Sequence, residues 1–130
     1  MKEDNNLGVL RIAASLKTPE VIVKESTGEV SLIGNSRPEN GIGFYKEVIE
    51  AVCKMKASTC QTITASIKIG YFNSQSSKSL YQMFNCLADA AKSGKDVRVT
   101  WTYDGHDENV EEFVDLLNYE LDLIVQLAVE

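Results

Sequence analysis

Four serines fall within six residues of "YFNSQSSKSL", Tyr71 through Leu80: Ser74, Ser76, Ser77 and Ser79. A serine hydroxyl can act as a nucleophile, cap a helix or accept a phosphate. As a nucleophile it needs a base, and the chain has one histidine, His106 in "YDGHDEN". No G-x-S-x-G elbow surrounds the serines. A small hydrolase would have to join a serine to His106 and Asp104, an arrangement that only geometry establishes. As a cap, Ser74 or Ser76 would take a backbone N–H at the start of the following helix, worth ~1 kcal/mol. As an acceptor, the same position suits a phosphate, because a helix N-terminus favours negative charge. The residues accommodate both of the last two roles.

Asp104, Asp107, Glu108, Glu111 and Glu112 crowd one stretch. Acidic residues in the first turn of a helix are favoured by its dipole. A magnesium site would be the sharper use, but no Gly-rich phosphate loop accompanies them. Arg37 and Glu39 read as loop anchors. The three cysteines, Cys53, Cys60 and Cys86, show no C-x-x-C or Cys/His spacing. Neither a disulfide framework nor a zinc site is expected, and Cys53 and Cys86 read as small buried hydrophobes on helices.

With 130 residues and a net charge of −6, the chain fits one acidic domain. It lacks the basic block that nucleic acid or an anionic membrane surface requires. Its start, "MKEDNNLGVL", has no signal-peptide h-region, and no apolar run reaches the length of a membrane span. A cytoplasmic protein is expected, with no cofactor.

The elements that would position these residues follow from periodicity. Residues 1–9 are expected to be a loose terminus and residues 10–130 one domain. Val21–Val23 and Val30–Ile33 form a hairpin around "KESTGE". Ile42, Tyr45, Val48, Ile49, Val52 and Met55 make one stripe of a helix, with Pro38 near its start and Asn35 or Ser36 as cap. "QTITASIKIGYF" alternates strictly, as a strand with one buried face does. Leu80, Met83, Phe84, Leu87, Ala88 and Ala91 mark a second helix, ended by Gly94. "DVRVTWTYD" alternates again. Val110, Phe113, Val114 and Leu117 mark a third helix capped near Asp107, and "LDLIVQLAV" supplies a last strand. The order β-β-α-β-α-β-α-β implies an α/β fold with a mixed, mostly parallel sheet and right-handed crossovers. Thr, Lys and Arg alternate through the strands, so helices should cover mainly one face.

Four stretches together resemble the SiaC-type bacterial regulatory phosphoproteins: "TPEV" at 18–21, "GNSRPEN" at 34–40, "YFNSQSSKSL" at 71–80 and "WTYDGHDEN" at 101–109. They occur in matching order over nearly the whole chain. The resemblance implies a two-layer, STAS-like fold similar to anti-sigma-factor antagonists. It implies a non-enzymatic partner switch: a serine/threonine kinase phosphorylates the protein, a PP2C-like phosphatase reverses this, and the unphosphorylated form regulates an effector. The precedent is a diguanylate cyclase, in cyclic-di-GMP and biofilm signalling. In the family's Y-x-N-[ST]-S-S pattern the acceptor follows the Asn, which carries over to Asn73 and Ser74, with Ser76 and Ser77 as alternative acceptors. Ser74 stands where threonine is commoner, and Gln75 where a small hydroxyl residue is usual. Arg37, Glu39, Asn40, Asn73, Ser74, Ser76 and Lys78 are the expected partner surface. A constitutive binding module whose serines only cap a helix is the alternative.

Overall fold

A computed structural model describes residues 2–5, by backbone, and 8–130 in full. Met1, Asn6 and Leu7, part of the stretch expected to be loose, lie outside the described residues. The elements are β1 (Lys2–Asn5), β2 (Val9–Ile12), β3 (Glu20–Lys24), β4 (Glu29–Ser36), α1 (Gly41–Lys54), a 3-10 turn (Met55–Ala57), β5 (Thr62–Phe72), α2 (Ser74–Lys92), β6 (Asp96–Tyr103), α3 (Glu108–Glu120) and β7 (Val125–Val129).

The seven strands lie in chain order, β1 through β7. Pairings from β1 to β4 are antiparallel, and those from β4 to β7, each joined through a helix, are parallel. Sequential order with crossovers of one hand puts all three helices on the same face. The burial pattern agrees. Ile63, Ala65, Ile67 and Ile69 of β5 are buried, while Thr62, Thr64, Ser66, Lys68 and Gly70 are exposed. One rung of the sheet, Leu32–Ile67–Trp101–Leu127, runs across its parallel half toward the helices.

The helices use the stripes read from the sequence. Tyr45, Val48, Val52 and Met55 of the first stripe are buried, as are Leu80, Met83, Phe84, Leu87 and Ala88 of the second. Ile42 departs from the pattern: it is 76% exposed and lines a groove between α1 and α2 instead of the core. β1 and β2 are additions to the expected order. The isolated "VLRI" run carries no turn signal on its own. It becomes a strand by pairing Val9–Ile12 with Val21–Lys24 across a long connection, a non-local contact that periodicity does not register.

The helix starts also differ from expectation. α1 is capped by Asn40, whose side chain accepts from the Gly43 N–H. Asn35 and Ser36 instead end β4, which runs further than the apolar run suggests. α2 is capped by Asn73, accepting from the Ser76 N–H at 2.9 Å, and not by Ser74 or Ser76. Asn73 is extended and immediately precedes the first helical residue, the geometry a cap needs. α3 is capped by Asp107, as expected, accepting from Asn109 and Val110. Cys53 and Cys86 are not two separate hydrophobes. They form a disulfide between α1 and α2, a pairing that a sequence separation of 33 does not announce. Cys60 is a free thiol.

Candidate functional site

The serine-rich stretch is a strand end, a one-residue turn and a helix start. β5 ends at Phe72 and α2 begins at Ser74, so the serines occupy the first two turns of α2. Two hydrogen bonds dock this turn on the end of β4 and the loop after it: the Asn73 N–H donates to the Ser36 carbonyl, and the Asn73 side-chain amide donates to the Pro38 carbonyl. The "SRPEN" loop and the serine turn are thereby brought together.

Burial then separates the serines by role. Ser76 is 0% exposed. Its hydroxyl donates to the Ser36 carbonyl at 3.0 Å and accepts from the Ser36 hydroxyl at 2.8 Å. The Ser36 hydroxyl also lies 2.5 Å from the Tyr45 phenol. Each hydroxyl has one proton. Ser76 gives its proton to the carbonyl and Ser36 gives its own to Ser76, so Tyr45 is the donor to Ser36. The buried chain Tyr45–Ser36–Ser76–carbonyl is complete, and it locks α1, β4 and α2 together. Burial pushes the Tyr45 phenol up to about 12, so it holds its proton at any physiological pH.

Ser77 donates to the Ser74 carbonyl at 2.8 Å, a bond back onto its own helix. Ser79 is buried. Ser74 is exposed, and the side-chain bonds of the turn run through Asn73, Ser76 and Ser77 and leave its hydroxyl out. Gln75, the departure from the family pattern, accepts the Gly41 N–H at 2.8 Å and so ties the start of α1 to α2. Gly41 is needed there: a Cβ would lie 2.8 Å from that of Gln75.

Two grooves flank the first turns of α2. Toward α3, Ser74 and Ser77 line a groove of about 530 Å³ with Phe72, Asn73, Asn109, Glu112, Phe113 and Leu116. Its floor is aromatic: the Phe72 and Phe113 rings are 5.2 Å apart and both pack on Trp101. Toward α1, Gln75, Lys78, Ser79 and Gln82 face Ile42, Lys46, Ile49 and Glu50 across about 580 Å³. Lys78 therefore belongs to a different groove from Ser74. Arg37 is exposed in the loop, Asn40 is committed to capping α1, and Glu39 pairs with Lys17 at 3.0 Å, which holds its carboxyl below the usual range.

The residues proposed for other chemistry have other employment. Asp104 accepts the His106 N–H, Asp107 caps α3, and Glu111 accepts the Tyr103 phenol, which raises that phenol's pKa. Asp104 and Asp107 line a cleft with Lys68 and Glu130, apart from the groove that contains Ser74. Among the described residues no group of three His, Cys, Asp or Glu side chains is placed to hold a metal ion, and no helix is long and apolar enough to cross a membrane.

What the sequence missed here is the division of labour among like residues. Asn73 as the cap carried a signal, since Asn is as good a cap as Ser. The Ser36–Tyr45–Ser76 chain carried none, because its members are 9 and 40 residues apart.

Comparison with known proteins places the whole domain. Residues 12–128 match the SiaC family of regulatory phosphoproteins. A Pseudomonas aeruginosa (strain UCBPP-PA14) protein, PA14_02130, is 27% identical over 106 residues, covering 82% of this chain and 84% of that one. The crystal structure of apo-SiaC from Pseudomonas aeruginosa superposes with a TM-score of 0.80 at 25% identity, covering 94% of this chain and 98% of that one. A chain in the crystal structure of the diguanylate cyclase SiaD in complex with its activator SiaC, from the same species, has the same fold. Its TM-score is 0.83 at 23% identity, with 92% and 98% of the two chains covered. The match runs from the end of β2 into β7 and includes the serine turn with both grooves beside it: the chain belongs to the SiaC family of regulatory phosphoproteins.

Proposed function

We propose that this protein is a non-enzymatic, cytoplasmic partner switch in which reversible phosphorylation of Ser74 decides whether an effector is bound. A serine/threonine kinase adds the phosphate, a PP2C-like phosphatase removes it, and the unphosphorylated form binds and regulates an effector, of the class of the diguanylate cyclase SiaD that forms a complex with its activator SiaC. The STAS-like comparison with anti-sigma-factor antagonists belongs to the same reading. The observation that carries it is the split between Ser74 and Ser76. One hydroxyl is exposed at a rigid helix start, while its neighbour two residues on is buried in a complete hydrogen-bond chain.

The geometry supports a switch that leaves the fold intact. The α2 N-terminus accommodates a phosphate that carries about −1.5 to −2 charges. The groove beside it is floored by Phe72 and Phe113 and rimmed by Glu112 and Leu116. A partner side chain seated there would be desolvated. A phosphate brings charge and bound water to the same place, beside a carboxylate of like sign. A penalty of ~3 kcal/mol weakens binding ~100-fold, within the range of like-charge and desolvation costs at an interface. Arg37, Glu39 and Lys78 are exposed beside the two helix starts as the outer part of the partner surface, while Asn40 caps α1 and Asn73 and Ser76 shape the serine turn.

The test is phosphopeptide mapping after treatment with the cognate kinase, together with effector binding by Ser74→Ala and Ser74→Asp. Phosphate on Ser74, retained binding by Ser74→Ala and ~100-fold weaker binding by Ser74→Asp are expected. Phosphate on Ser77 with Ser74 untouched sinks the site. Full binding by both variants sinks the switch and leaves a constitutive binding module.

A further inference from the structure

α1 and α2 run side by side in register, and they are stitched at both ends of the groove between them. At the N-terminal end Gly41 meets Gln75, 34 residues on. At the C-terminal end Cys53 meets Cys86, 33 residues on. The Cα atoms of the cysteine pair are 5.1 Å apart, inside the ~4.4–6.8 Å that a bridge spans without moving backbone. The two cysteines differ in exposure. Cys53 is exposed near the end of α1, and Cys86 is half-buried against the core. Cys60, the third thiol, lies in the loop after the 3-10 turn, 2.9 Å from the Ser58 hydroxyl.

We infer that Cys53 and Cys86 are a redox modification site: a reversible staple between α1 and α2, oxidised by low-molecular-weight disulfides of the glutathione class. An exposed thiol beside a second, less accessible one is the arrangement of an attacking and a resolving cysteine. The Cys53 thiolate attacks one sulfur of the small disulfide. That S–S bond breaks, one small thiolate leaves, and a mixed disulfide forms on Cys53. The Cys86 thiolate then attacks the Cys53 sulfur, the second small thiolate leaves, and the Cys53–Cys86 bond is complete. Two protein thiols lose two protons and two electrons, and one small disulfide becomes two thiols. In a compartment that keeps thiols reduced, an accessible pair of this kind is dithiol at rest and closes under oxidation. Closure fixes the far end of the α1–α2 groove, where Ile49 and Gln82 each lie one helical turn before a cysteine.

The test uses the full chain, reduced with dithiothreitol, desalted and exposed without denaturant to oxidised glutathione. Two of the three thiols should disappear, non-reducing peptide maps should show a Cys53–Cys86 link with no glutathione retained, and dithiothreitol should restore all three. Cys86→Ser should trap glutathione on Cys53. The oxidised protein should melt ~5–10 °C above the reduced one, and Cys53→Ser should abolish that difference. A stable glutathione adduct on the unsubstituted chain without the Cys53–Cys86 link, disulfide dimers through Cys60, or a melting temperature indifferent to oxidation would each overturn the inference.

Discussion

Replacing Ser76 by alanine should destabilise the protein far more than replacing Ser74. The Ser36 hydroxyl donates to Ser76 in a site where Ser36 and Ser76 are both 0% exposed. Without the Ser76 oxygen, Tyr45 still donates to Ser36, and the Ser36 proton loses its acceptor. Reversing the Ser36–Tyr45 bond only moves the orphan to Tyr45. One buried donor is left unsatisfied in either case, at a cost of ~1–3 kcal/mol. A 130-residue domain unfolds with an entropy of ~0.27 kcal/mol/K, so a central value of ~2 kcal/mol lowers Tm by ~7 °C. Ser74→Ala removes an exposed hydroxyl and should stay within ~0.5 kcal/mol, or ~2 °C. Thermal melts and urea titrations of both variants measure this directly. Ser36→Ala combined with Ser76→Ala should be non-additive, since both act on one hydrogen-bond chain. Two results would refute the assignment of roles: a Ser76→Ala melt indistinguishable from wild type, or an equal loss from Ser74→Ala.

Three further outcomes follow from neighbouring contacts. Asn73→Ala removes the α2 cap and the bond to the Pro38 carbonyl, and should cost ~1–2 kcal/mol in urea unfolding. Gly41→Ala forces a Cβ to 2.8 Å from that of Gln75, at ~1–3 kcal/mol, and Gln75→Gly should recover part of the loss in a double-mutant cycle. Burial raises the Tyr45 phenol from its ordinary 10.0 to about 12. The folded state therefore binds more protons than the unfolded chain across that interval. The contribution is fully present below pH 10 and is lost as pH rises through about 12. Tyr45→Phe should flatten this alkaline decline in denaturant titrations while lowering stability near pH 7.

Much of the scaffold was legible because its signals are local. Ile63, Ala65, Ile67 and Ile69 alternate with Thr64, Ser66 and Lys68, and a pleated strand with one covered face has no other way to use them. Leu80, Met83, Phe84 and Leu87 recur at helical spacing, and Asp107 precedes a helix as a cap should. From such patterns come the three helices, the parallel half of the sheet and its one-sided cover. The β1–β2 hairpin was not legible, because short runs become strands only when distant partners hold them. Nor was the exposure of Ile42, which follows the stripe of α1 but lies outside the core.

The same boundary runs through the serine turn. Sequence alone set the chemistry available at residues 71–80: a strand end, a helix start, four hydroxyls and a resemblance that singles out Ser74. Tertiary structure decided which hydroxyl does what. Ser76 is withdrawn because Ser36 of β4, itself held by Tyr45 of α1, bonds it, and Ser74 is presented because Asn73 takes the cap. Cys53 and Cys86 meet for a similar reason, since parallel helices in register bring together residues 33 apart. Periodicity records where each side chain points relative to its own element. Which element stands opposite is settled only when the sheet and helices close around a shared core.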